Sequence, residues 1–212
     1  MTVLFPSRDF ENREAAEFAL NEVTSPEGLL ITRFAANRSY EGQTLAAIAK
    51  LRAQDPPKVM MDMIRESKGD VGIVATGMSE HDVVTLTKWP FANICSDGMS
   101  TGGHPRGHGA FTRVLGRHVR EQGALTLEEA VRKMTSLSAA NVGIKDRGTI
   151  TAGSFADLVL FDPSRIIDQA TTKDPKAISD GIHTVWTNGQ VVFQKRDTTA
   201  RRPGLVLRRE TR

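Results

Sequence analysis

"VGIVATGMSEHDVVTLTKWPFANICSDG", residues 71–98, is the stretch on which the fold turns, and it ends on an aspartate followed by glycine. Its first eight residues alternate β-branched side chains with glycine, the pattern of a short strand. Ser79, with Glu80 and Asp82 close behind it, fits a capped helix start with acid in the first turn. Val83, Val84 and Leu86 supply the apolar positions, and Trp89-Pro90 ends the helix because proline disfavours a helical residue before it. FANICS, residues 91–96, then reads as a second strand. Side chains alternate along a strand, so Phe91, Asn93, Cys95 and Asp97 share one face.

Working outward, the same order repeats. Residues 9–23 read as an amphipathic helix carrying Phe10, Ala15, Phe18 and Leu20, and GLLITRFA (28–35) reads as a strand. TLAAIAKL (44–51) and VMMDMIRES (59–67) are helical, separated by Asp55-Pro56-Pro57. Beyond the 93–111 loop, Phe111, Val114, Leu115 and Val119 fall at helical spacing. Thr126 and Glu129 form a capping box for a helix whose apolar face is Leu127, Ala130, Val131, Met134 and Leu137. Gly143 is its terminator.

This alternation predicts an α/β fold, a layer or barrel of parallel strands joined by helical crossovers. The strands near 29–34, 71–76 and 91–96 are then expected to be parallel neighbours, their carboxyl ends gathered on one face with Asp97. From residue 143 the texture changes. RGTI (147–150), ADLVLFD (156–162) and HTVWTNGQVVFQ (183–194) read as β, and Asn188-Gly189 is a strong hairpin signal. The expected division is residues 1–142 as one α/β portion and 143–212 as a β-rich appendage.

Composition narrows the class. With 39% hydrophobic and 25% charged residues the chain is ordinary globular material. One cysteine excludes an internal disulfide, and with no signal-like or spanning segment the expected location is the cytoplasm. The last eighteen residues carry seven basic and two acidic side chains, which leaves the rest slightly acidic. That tail has no aromatic residue for stacking, so it reads as solvated surface; neither a nucleic-acid nor a membrane partner is expected.

Two readings stand for Asp97. Ser-Asp-Gly is good turn chemistry, and an acid at the carboxyl end of an α/β strand is where catalytic residues sit. His104 and Arg106 follow in the next loop, where an arginine can hold a carboxylate with two parallel bonds; both can equally brace the loop. Cys95, His104 and His108 have zinc-compatible donor types, but Cys95 lies within a strand and reads better as a small buried hydrophobe. His81 is expected to be exposed, and His118 and His183 have no evident partners.

SDG, then HPRGHGAFTRVLGRHVRE (104–121), LTLEEAVRKMTSLSA (125–139), DRGTITAGSFADLVLFDP (146–163), TNGQVV (187–192) and ARRPGLVLR (200–208) occur in this order. This series resembles the carboxyl-terminal part of N-acyl-D-amino-acid deacylases, the D-aminoacylases of the amidohydrolase superfamily. The resemblance covers residues 71–208 closely and rests before that on EGQTLAAIAKL (41–51). It implies the last strands and helices of a metal-dependent (β/α)8 barrel followed by a small β-sandwich. It implies a hydrolase that cleaves the amide bond of small N-acyl amino acids with zinc as cofactor. Asp97 would then be the general base and a possible second-metal ligand, and His104 and Arg106 would bind substrate.

The chain also departs from that family. It has no histidine before His81 and no His-x-His pair, whereas the family draws its main metal ligands from such positions. A complete barrel needs about 250 residues, and only three barrel strands are discernible here. The expectation is an enzyme portion that holds no catalytic zinc alone and is completed by a chain supplying the amino-terminal half. The alternative is a catalytically silent binding or oligomerisation module. Strand edges and apolar faces at Ile31, Ile73, Val74 and Ile94 predict self-association.

Overall fold

The computed structural model describes residues 12–98 and 103–208. The chain divides into two compact units, Met1–Ser79 and Glu80–Arg212. In the first, α1 (Arg13–Glu22) is capped by Asn12, whose side chain accepts the Ala15 N–H. Ala16 and Leu20, one helical turn apart, form its buried face, whereas Phe18 is exposed and Phe10 lies outside the described residues. β1 (Leu29–Arg33) is followed by α2 (Leu45–Arg52) and α3 (Pro56–Glu66). The prolines at 56–57 begin α3 rather than merely ending its predecessor: proline needs no N–H partner in the first turn, and the Asp55 carboxylate accepts the Lys58 N–H. β2 (Gly72–Ala75) closes the unit.

β1 and β2 pair antiparallel, with Leu29 opposite Ala75 and Ile31 opposite Ile73. This corrects the expected parallel pair. A parallel neighbour needs a crossover of about a dozen or more residues, usually helical, that carries the chain back to the starting end of the first strand. Here the chain reverses first: the Glu41 carboxylate accepts the Phe34 N–H, and Gly42 and Gln43 bond back to Ile31. Ile31, expected on an open face, is buried under Phe34, Leu45, Ile48, Val59 and Met63. Ile73 on the facing strand is exposed.

In the second unit α4 (Glu80–Lys88) is followed by α5 (Arg106–Arg113), which runs on into a π-helical stretch, Val114–Glu121. α6 (Leu127–Met134) is capped by Thr126, whose hydroxyl accepts the Glu129 N–H. The Glu129 carboxylate turns to Arg132 instead of completing the box. After α7 (Ser136–Val142), ended by left-handed Gly143, no helix occurs among the described residues. β3 (Leu158–Phe161), β4 (Ile182–Thr187), β5 (Gln190–Gln194) and β6 (Asp197–Thr198) make an antiparallel sheet in sequence order. Asn188 and Gly189, both at positive φ, form the tight turn between β4 and β5. RGTI, in contrast, joins no strand and lies in bends and irregular backbone.

Residues 91–96, expected as a strand, belong to no ladder. β-propensity is realised only against neighbouring strands, and this segment instead docks on α6. Ile94 packs into the cluster around Val114, Leu115, Ala130 and Ile166, and its N–H bonds to the Lys133 carbonyl. That cluster joins helices and sheet across residue 142, with Met134, Phe161 and Ile182 all packed against it.

The face of α5 and its extension that meets residues 163–180 is built from small side chains. A Cβ at Gly109 would lie 2.9 Å from the Asp168 Cβ, and one at Gly116 only 2.5 Å from the Ile166 carbonyl oxygen. Thr112 and Ser179 share a buried hydroxyl hydrogen bond of 2.7 Å, and Arg120 reaches the Ile166 carbonyl at 2.5 Å. These contacts fix the helix on whose first turn the candidate site rests.

Candidate functional site

The alternation predicted for 91–97 survives the loss of the strand. Phe91, Asn93, Cys95 and Asp97 are exposed, and Ala92, Ile94 and Ser96 are half-buried. Exposed Cys95 corrects its expected burial, since no neighbouring strand covers that face. Asp97 has φ 45°, a left-handed conformation that aspartate tolerates better than most residues. The Ser96 hydroxyl, and not the Asp97 carboxylate, accepts the Gly98 N–H.

This segment also brings the predicted residues together. A Cβ at Gly98 would lie 2.6 Å from the Gly107 Cα, so two glycines let the segment meet the first turn of α5. Across that contact Arg106 Nη2 stands 2.5 Å from Asp97 Oδ2, and its Nε donates to the Asp97 carbonyl at 3.3 Å. His104 Nδ1 accepts the Arg106 N–H at 3.1 Å. The Asp97 side chain is 74% exposed and that of Arg106 49%, so water screens the pair and neither partner is locked by it.

The His104 pKa is lowered, first by burial, then by the Arg106 charge, with Asp97 opposing. With Nδ1 accepting, the neutral ring matches its surroundings. As pH falls below 6.5 the unfolded chain takes up this proton before the folded one, so acid weakens the fold of the loop. An NMR titration is expected to place the His104 midpoint below 6.5, with Arg106→Gln moving it upward. A midpoint above 6.5 in the unsubstituted chain would show that Asp97 dominates.

The other histidines are placed elsewhere. His81, His108 and His183 are exposed. His118 is buried, with Nδ1 2.8 Å from Gln122 Oε1, a core histidine whose partner lies one turn on. Among the described residues no three His, Cys, Asp or Glu side chains converge to hold a metal, so Cys95, His104 and His108 do not make a zinc site. A hollow of about 170 Å³ in the first unit, lined by Leu29, Met60, Met63 and Ile73 among other apolar residues, offers no group for chemistry. No helix among the described residues is long and apolar enough to cross a membrane.

The sequence model of the amidohydrolase family matches residues 10–193. An N-acyl-D-aspartate deacylase of Alcaligenes xylosoxydans xylosoxydans is 46% identical over 132 residues, which are 61% of this chain and 26% of that protein. A D-aminoacylase of the same organism is 40% identical over 159 residues, 74% of this chain and 33% of that one. The crystal structure of N-acyl-D-glutamate deacylase from Bordetella bronchiseptica, complexed with zinc and a phosphonate inhibitor, superposes with a TM-score of 0.78 at 36% identity. That superposition covers 92% of this chain and 39% of the other. The chain thus spans about a quarter to two fifths of these relatives.

Proposed function

Because the chain belongs to the amidohydrolase family, we propose that it supplies the general base and the carboxylate-binding arginine of a hydrolase acting on N-acyl-D-amino acids. The observation that carries this reading is the Asp97–Arg106 pair at 2.5 Å, with His104 on the same short loop. A substrate carboxylate can offer Arg106 two oxygens in place of the Asp97 Oδ2 and main-chain carbonyl that it now holds. Exchange of one carboxylate for the other would free Asp97. The freed carboxylate would take a proton from the attacking water and deliver it to the departing amine nitrogen. His104, neutral and half-buried, would line the pocket beside the bound carboxylate.

Zinc is the metal bound in the related deacylase, and it would polarise the amide carbonyl of the substrate. The described residues do not fit it as a complete ligand set. The metal would therefore be held by the remainder of the enzyme, and Asp97 would be available as a ligand to a second ion. In this reading residues 1–142 are a barrel portion and 143–212 a β-rich appendage.

Purified by itself, the chain is expected to hold less than one equivalent of zinc and to hydrolyse N-acetyl-D-amino acids negligibly. Mixed with a chain bearing the remaining barrel strands, it should gain both. Full zinc occupancy and turnover by the chain alone would overturn the division of ligands proposed here. A second reading, a silent module that self-associates, draws on the exposure of Trp89, Phe91, Val159 and Leu160. It predicts dimers or larger species by light scattering and no gain of activity on mixing.

A further inference from the structure

Lys133 has no part in the chemistry above, yet its side chain is fully buried. An ammonium is excluded from water only where acceptors replace its hydration. Nζ donates to the main-chain carbonyls of Trp89 and Ala92, the latter at 3.0 Å, and stands 3.8 Å from the Glu129 carboxylate one turn back. Neighbouring Arg132, gripped by Glu129, donates to the Pro90 carbonyl at 2.7 Å. These carbonyls lie just beyond the carboxyl end of α4, where cations are favoured, and that of Trp89 also accepts the Ala92 N–H. The carbonyl of Lys133 itself accepts the Ile94 N–H at 3.2 Å.

We propose that Lys133 is the positioning residue for Asp97: it sets the register of segment 89–94, a turn at 89–92 that opens into an extended stretch, and thereby the face on which Asp97 emerges. The segment has no ladder, so ordinary strand pairing does not hold it in place. Its side chains alternate, and a slip of one residue would turn Asp97 toward the core and Ile94 toward solvent. Lys133 holds it at residues 89, 92 and 94, contacts that a slipped segment cannot make together. This inference rests on the reading of Asp97 as the base, but its test does not use turnover.

The test is hydrogen exchange, followed by mass spectrometry, on the 212-residue chain. Lys133→Met keeps the length and removes the donor. It is expected to raise exchange in peptides covering 89–98 by about tenfold, the loss of one or two charge-assisted bonds, while peptides from the β4–β5 hairpin stay unchanged. Lys133→Arg should restore most of the protection. Arg132→Gln, a change at a more exposed position, should raise exchange in the same segment by a smaller factor. Unchanged exchange at 89–98, or a uniform rise throughout the second unit, would overturn the proposal by making Lys133 a general stability residue. Asp97→Asn should leave the 89–94 pattern intact, so failure of the base assignment and failure of this inference read out separately.

Discussion

Asp97→Asn is expected to lower kcat by about 10²–10⁴-fold in the assembled enzyme, because an amide cannot accept the proton that the attacking water must lose. KM should change little, since Arg106 and its hold on the substrate carboxylate remain. Arg106→Lys is the complementary variant. It keeps the charge and loses the planar fork, so KM should rise by about tenfold or more while kcat falls far less. Measuring zinc alongside turnover separates two roles for Asp97. Turnover lost with zinc retained marks a base, whereas zinc lost in step with turnover would make Asp97 primarily a ligand. Near-normal kcat in the asparagine variant would remove Asp97 from the mechanism.

The largest expected effect on stability lies away from the site, at Gly181. Its φ is +81°, and a Cβ there would lie 2.5 Å from both the nitrogen and the Cα of Ile166. Ile166 is 1% exposed and sits in the cluster that joins helices and sheet, so its backbone has little room to give. Gly181→Ala combines left-handed strain with a backbone clash and is expected to cost about 4 kcal/mol. Gly189→Ala is the control: φ is +75° with nothing within 4 Å, so strain acts alone at about 1 kcal/mol. Both tryptophans, Trp89 and Trp186, lie in the second unit, so their fluorescence in urea follows that unit alone. Equal losses for the two variants would show that residues 165–166 yield to the added methyl group.

Much of the local structure was legible because its causes are local. Asp55-Pro56, Thr126 and Gly143 mark helix ends through bonds to residues three or four positions away. Asn188-Gly189 sets its hairpin through two φ angles. Even the exposed and half-buried alternation of 91–97 followed from the side-chain period alone. The loop carrying Asp97, His104 and Arg106 was found from its residue types, and the three do meet there.

The missed features depend on residues distant in sequence. Strand direction is not a property of a strand's own residues. The chain turns back on β1 through the short 3-10 turn Arg38–Tyr40 and Gly42, ahead of α2, and β2 then pairs antiparallel across the intervening helices. FANICS has strand composition, but a ladder needs an adjacent backbone, and a lysine and a helix carbonyl took that place. Lys133 falls three residues after Ala130, inside the apolar stripe of α6, a spacing that marks it for burial. Its hydrogen-bond partners, 41 and 44 residues earlier, are main-chain carbonyls, which every sequence has everywhere. The sequence by itself determined where helices and turns begin and which residues stand ready for chemistry, because those depend on nearest neighbours. Only the tertiary structure decided which way the strands run and what holds Asp97 outward, because hydrogen bonds between distant backbones carry no sequence signature.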